Sequence, residues 1–181
     1  MLIEELTSRA SLEVLAGTHL GRLACARGMQ LYIVPIDFSY QDYWLYNISM
    51  PRQEIEWMRA NPLVCVEADQ MRRAHWTTVV VFGRYEELRD TPEFRRKRAL
   101  AFNLLRQRPL WWEHASAKPT PVDAPEAVPI YYRIKVEQVT GRRAVIEQAI
   151  SDTTRAKSAS GAQGWLRKAF FLARREKKPK K

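Results

Sequence analysis

Residues 76–88 read Trp-Thr-Thr-Val-Val-Val-Phe-Gly-Arg-Tyr-Glu-Glu-Leu, and this run decides the fold class. Three valines beside Thr77 and Thr78 favour the pleated backbone, because a branched Cβ is restricted against the preceding turn of a helix. Val79-Val80-Val81-Phe82 is continuous enough to predict burial on both faces, before the run alternates through Tyr85, Glu86, Glu87 and Leu88. Gly83 inside it predicts a bulge or a close approach of backbones.

Upstream lie four more β-like runs, over residues 21–26, 31–40, 43–49 and 63–68. Short turns at Arg27-Gly28 and Gln41-Asp42 predict antiparallel hairpins among the first three. Between Ser49 and Asn61 the pattern becomes helical, with Ile55 and Met58 three apart and Asn61-Pro62 as the terminator. A short opening helix is expected over residues 11–17, with Ser11 as N-cap and Gly17 as stop.

Downstream, Asp90 or Thr91 with Pro92 is expected to start a helix whose apolar stripe is Phe94, Leu100, Leu104 and Leu105, ending by Pro109. Pro119, Pro121, Pro125 and Pro129 make residues 116–129 an irregular wall. A strand resumes over 130–139, and Thr140-Gly141-Arg142-Arg143 closes the body. Six β-segments with mostly antiparallel connections, one helix after the third and one after the fifth, describe a mainly β, six-stranded antiparallel split barrel with flanking helices. The expected division is a barrel domain over 1–150 and a flexible basic tail over 151–181.

Of the 181 residues 46% are hydrophobic, enough for one substantial core. The net charge is +10, yet eight cations and one glutamate after Gly164 carry +7 of it, so the body is nearly balanced. In residues 164–181, Trp165, Leu166, Ala169, Phe170 and Leu172 share an apolar side amid lysine and arginine. That pattern suits a helix on an anionic membrane or on a partner, a nucleic-acid tether, or a solvated extension. Two cysteines, Cys25 and Cys65, sit in apolar runs as a reducing cytoplasm permits, and the start carries Glu4 and Glu5 rather than a basic and apolar leader. A cytoplasmic protein is expected.

The ordered set Gly21-Arg22-Leu23-Ala24, Val34-Pro35-Ile36-Asp37-Phe38, Leu45-Tyr46, residues 55–62 (Ile-Glu-Trp-Met-Arg-Ala-Asn-Pro) and residues 76–84 resembles the pyridoxamine 5′-phosphate oxidase-like, FMN-binding split-barrel family. It is most similar to the branch that includes nitroimidazole-resistance proteins, over roughly residues 10–146. The resemblance implies a homodimer with FMN in a groove between subunits and a small-molecule substrate for an oxidoreductase. It places the cofactor against Val34, Pro35, Ile36 and Asp37, against Ile48, Ser49, Arg52 and Gln53, and against Trp76, Thr77 and Thr78. The family usually carries glycine, a variable residue and lysine before the helix, whereas this chain has Arg52-Gln53-Glu54. Either Arg52 replaces the lost cation, with Glu54 pointing outward at the favourable end of the helix dipole, or FMN is not the ligand.

Each of these residues also has a plainer role. Thr77 and Thr78 suit any strand, and Trp76 is a flavin wall or simply core. Trp111-Trp112-Glu113-His114 caps the groove from a neighbouring subunit, or anchors a proline-rich segment or a dimer interface. His19, His75 and His114 have no metal-ligand spacing, but some split-barrel relatives bind haem through a histidine, so haem is the alternative cofactor. No catalytic residue can be named, because no nucleophile and base, Walker loop or dinucleotide fingerprint can be assembled.

Overall fold

The strand expected over residues 31–40 is interrupted at Phe38, and that break organises the sheet. The structure, a computed structural model, describes residues 2–72, 75–107 and 128–145. Within them the order is β1 (Leu2–Leu6), α1 (Ser8–Ala16), β2 (Leu20–Arg27), β3 (Gln30–Asp37), β4 (Ser39–Gln41), β5 (Trp44–Ser49), α2 (Gln53–Ala60), β6 (Leu63–Arg72), β7 (His75–Glu87), α3 (Arg95–Leu105) and β8 (Ile130–Val145). The sheet runs β3-β2-β6-β7-β8-β5-β4, with β1 added to the far end of β8, and every pairing is antiparallel. The cluster Trp111–His114 and the tail 151–181 lie outside the described residues.

β3 and β4 are thus the two ends of the sheet order, with the covalent turn at Phe38 between them. Its ring is fully buried, and its amide donates to the His19 carbonyl at 2.7 Å. Across the seam the buried Asn47 side chain on β5 donates to the Asp37 carbonyl at 2.8 Å, standing in for a ladder bond. The six strands expected are therefore eight. One extra comes from the break at Phe38, the other from β1, whose residues pair with Gly141–Val145 in a β8 that continues past residue 139.

The valine run is buried on one face only. Thr77, Val79, Val81, Gly83 and Tyr85 point inward, while Trp76 and Phe82 stand outward at 48% exposure each. Burial on both faces fails because, among the described elements, α1 (on β8, β4, β1 and β7) and α2 (on β2) pack with their core residues against the inner face, and α3 packs on β5 and β8, so the outer side of β3-β2-β6-β7 stays uncovered. Gly83 does mark a bulge: Phe82 pairs with Gln138 and Gly83 with Val136, so Glu137 is extra. A Cβ at Gly83 would lie 2.3 Å from the Lys135 carbonyl oxygen, which explains the glycine.

The hairpin loops fall one residue later than expected, at Gly28-Met29 and Asp42-Tyr43, with φ of +59° at Gly28 and 50° and 64° at Asp42 and Tyr43. α1 begins three residues earlier than expected, because the Thr7 hydroxyl accepts from the Ala10 amide at 3.2 Å. Ser11 is instead buried and donates to the Thr7 carbonyl. α3 begins later, at Arg95, since residues 91–94 form turns and no side chain caps the helix.

Asn47→Ala removes the side-chain bond from β5 to the Asp37 carbonyl across the seam. It is expected to destabilise the fold by about 1–2 kcal/mol, read as a lower midpoint in urea; a loss below about 0.5 kcal/mol would mean that the covalent turn closes the barrel unaided.

Candidate functional site

Two of the three groups expected to hold a cofactor converge at the seam. The Asn47 bond brings the end of β3 beside the end of β5, and the chain then leads through Arg52 and Gln53 into α2. Ile36 and Asp37 are buried, Val34, Ile48 and Ser49 half-buried, and Pro35, Arg52 and Gln53 exposed.

The third group is divided by strand parity. Trp76 and Thr78 face outward, whereas Thr77 faces the interior, wholly buried, and accepts from Arg143 Nε at 3.4 Å. β7 lies three strand steps from β3, about 14 Å at the usual inter-strand spacing. One chain alone does not gather all eleven residues.

Trp76 and Thr78 are linked on the outer face by a network that the residue pattern alone does not show. Arg22, opposite Pro35 in the ladder, donates from Nη1 to Glu67 Oε2 at 2.8 Å and to Asp69 Oδ2 at 3.0 Å. The Thr78 hydroxyl donates to Glu67 Oε1 at 3.0 Å, and the Trp76 indole to Asp69 Oδ1 at 2.8 Å. Both outward residues of the third group are therefore held in fixed rotamers. Burial pulls the Asp69 carboxyl upward, but hydrogen bonds with Glu67, Trp76, Arg22 and Thr78 outweigh it and hold the group below the usual carboxylate range. The two carboxylates in turn raise the Arg22 guanidinium, so this cation is already neutralised.

Glu54 does not point outward at the helix start. It is only 5% exposed, and its Oε1 lies 3.1 Å from the Ser49 hydroxyl, which also reaches the Met50 carbonyl at 3.0 Å. The inward turn reflects the Ser49 donor and an interior shared with Tyr132. Glu54 Oε2 and the Tyr132 hydroxyl are both buried without a hydrogen-bond partner. Burial first, then the Glu54 charge, pushes the Tyr132 phenol and the Cys25 thiol above their ordinary ranges.

The residues at the start of α2 fit a phosphate. Arg52 occupies the N-cap position without capping the helix through its side chain; the Ile55 amide goes to the Arg52 carbonyl, which leaves the Gln53 and Glu54 amides available among the described residues, and the exposed Arg52 guanidinium has no ion-pair partner among them. With Glu54 withdrawn, the approach to those amides is cationic. A separate open groove of about 860 Å³ lies between α1, Tyr40, Tyr43 and Val136–Val139 of β8, and none of the expected cofactor residues lines it. His19 is exposed and His75 half-buried, while His114 lies outside the described residues.

The folded Asp69 carboxyl titrates below its unfolded counterpart. Its contribution to stability is therefore complete above the ordinary carboxylate range near pH 4 and is lost as pH falls through the lower, folded value. Asp69→Asn is expected to lower the thermal midpoint at pH 7 by a few degrees at most, for a part-exposed pair worth about 1 kcal/mol or less, and to leave it unchanged near pH 2. Scanning calorimetry at both pH values checks this, and an equal loss at both would assign the effect to packing.

Residues 7–143 match the model of the pyridoxamine 5′-phosphate oxidase family. An uncharacterized protein of Rhizobium meliloti (strain 1021) is 41% identical over 133 residues, covering 72% of this chain and 88% of that one. The crystal structure of a FAD-binding protein from Mesorhizobium loti is 40% identical, covers 80% of this chain and 99% of its own, and superposes with a TM-score of 0.68. A candidate 5-nitroimidazole antibiotic resistance protein from Bacteroides thetaiotaomicron is 16% identical, over 79% of this chain and 89% of its own, with a TM-score of 0.57, and so shares the fold.

Proposed function

The chain belongs to the pyridoxamine 5′-phosphate oxidase family of split barrels, and from that premise we propose that it is a flavin-binding oxidoreductase acting on a small molecule, with FMN as its ligand. The observation that carries the reading is the start of α2: an exposed Arg52, without an ion-pair partner among the described residues, beside the Gln53 and Glu54 amides, with the Glu54 carboxylate turned into the barrel. The FAD-binding relative at 40% identity supports a flavin and presents the same FMN moiety. Arg52, Gln53 and the first-turn amides hold the phosphate, and Val34, Pro35, Ile36 and Asp37 offer a flat wall with backbone polar groups. When bound, the flavin supplies the electron or hydride transfer; the chain's own residues bind, orient and shield. The haem reading has no observation behind it among the described residues.

We further propose that the protein works as a homodimer built on the uncovered side of β3-β2-β6-β7. By ladder register, Ile33, Ala24, Cys65 and Phe82 form an apolar row across that face, with Leu31 and Leu63 beside it; Leu31 is 78% and Ile33 63% exposed. An apolar face of this extent suits a partner, and a second copy there completes what one chain leaves three strands apart. Free thiols at Cys25 and Cys65 fit a reducing cytoplasm, and no described helix is long and apolar enough to cross a membrane.

Arg52→Ala is expected to weaken FMN binding by about 10- to 100-fold, the usual worth of a charge-assisted bond, in a fluorescence-quenching titration. Glu54→Lys should bring no gain, since that position faces inward. Purified protein with no flavin absorbance and no thermal shift on adding FMN or FAD would sink the reading. Ile33→Asp with Phe82→Asp should convert dimer to monomer in sedimentation velocity, and a monomeric parent protein would overturn the dimer.

A further inference from the structure

We propose that the outward face of α3 is a docking surface for an anionic lipid membrane. The described residues carry 17 Lys and Arg against 14 Asp and Glu, and between Arg89 and Arg106 six cations face two carboxylates. The rest of the described barrel therefore holds one more carboxylate than cation, and its whole positive excess sits on this one element.

The helix carries that charge against its own local chemistry. Arg95, Arg96, Lys97 and Arg98 are consecutive at its N-terminus, the positive end of the helix dipole, and the first turn itself holds no acidic residue and no capping side chain. Two of the four have structural work. Lys97 pairs with Glu86 at 3.3 Å and lies over the Phe94 ring, and Arg98 donates to the Leu88 carbonyl at 2.8 Å and lies over the Tyr131 ring. Arg95 and Arg96 are exposed, and among the described residues no ion pair or hydrogen bond accounts for either. A local rule broken without an internal compensation points to an external one.

At 100° per residue, Arg95, Ala99, Phe102 and Arg106 share one narrow arc of the helix, with Arg96 and Asn103 at its margin. Phe102 is 50% exposed at the edge of that arc, beside Arg95 and Arg106 in angle. The opposite arc, through Ala101 and Leu105, is buried and anchors α3 next to Tyr46 and Leu88, so the surface is presented already folded. A ring flanked by arginines along about 16 Å of helix matches a lipid interface, where headgroups meet the guanidiniums and the acyl boundary meets the ring. A nucleic-acid duplex would reward the arginines and leave Phe102 in water. Stacking a base on Phe102 would have to displace the Arg106 guanidinium, which lies 5.7 Å over its centroid.

The test is co-sedimentation of the full chain with vesicles of phosphatidylcholine containing about a quarter phosphatidylglycerol, against pure phosphatidylcholine, at low and high salt. Each arginine near an anionic surface contributes about fivefold, so the triple change Arg95→Gln, Arg96→Gln, Arg106→Gln is expected to weaken binding on the order of 100-fold at low salt. Phe102→Ser should weaken it severalfold without altering the salt dependence. The basic residues after Gly164 are present in every variant and contribute equally, and circular dichroism melts show whether each variant is folded. A triple variant that binds anionic vesicles within about twofold of the parent overturns the proposal, as does a loss confined to single-stranded or duplex oligonucleotides.

Discussion

The fold hangs on how one chain segment closes a sheet that its own hydrogen-bond ladder does not close. β3 and β4 are consecutive in sequence and lie at opposite ends of the sheet order, with only Phe38 between them. A backbone turning there strands polar groups in the interior, and burying them unpaired is costly. The Phe38 amide finds the His19 carbonyl, and the Asp37 carbonyl finds Asn47. With those bonds in place the seam is fixed, and so are the ends of β3 and β5. The loop from Ser49 to Arg52 then leads α2 away from the same spot, so one closure sets both the barrel and the phosphate end of the candidate site.

What the sequence shows of this follows from how local each interaction is. The hairpins and the α2 helix rest on neighbouring residues, and the residue pattern predicts them; Gly83 marks the bulge by its type, although the extra residue, Glu137, lies on β8. The break at Phe38 has no local mark, because Val-Pro-Ile-Asp-Phe-Ser reads as continuous strand; it is imposed by β2 and β5. β1 is equally hidden. Leu-Ile-Glu-Glu-Leu has no apolar alternation and stays largely exposed, so its strand character comes from pairing with residues 141–145, more than 130 positions away.

The site divides along the same line. Trp76, Thr77 and Thr78 stand together in the sequence, but a strand's period of two sends the middle one inward, and only register tells which two remain outside. Glu67 and Asp69 are two apart on one face of β6, which the period could have shown. That Arg22 binds both needed the β2–β6 pairing, a separation of 45 and 47 residues. The resulting network holds one cation against two carboxylates, so it orients Trp76 and Thr78 without offering charge to an anion.

That leaves the electrostatics of α2 to be decided by orientation rather than composition. A carboxylate about 4 Å from a phosphate charge would oppose it by roughly 4 kcal/mol at an effective dielectric near 20, and doubling the distance halves the penalty. A guanidinium at the near distance gains about what the carboxylate would have cost. The sequence Arg52-Gln53-Glu54 reads as a cancellation, one charge of each sign. The fold separates the two: Ser49 and the barrel interior draw Glu54 inward, while Arg52 stays in water at the helix start. A carboxylate at position 54 therefore places no anion in the phosphate approach proposed for this chain, and with Arg52 exposed there the balance is positive.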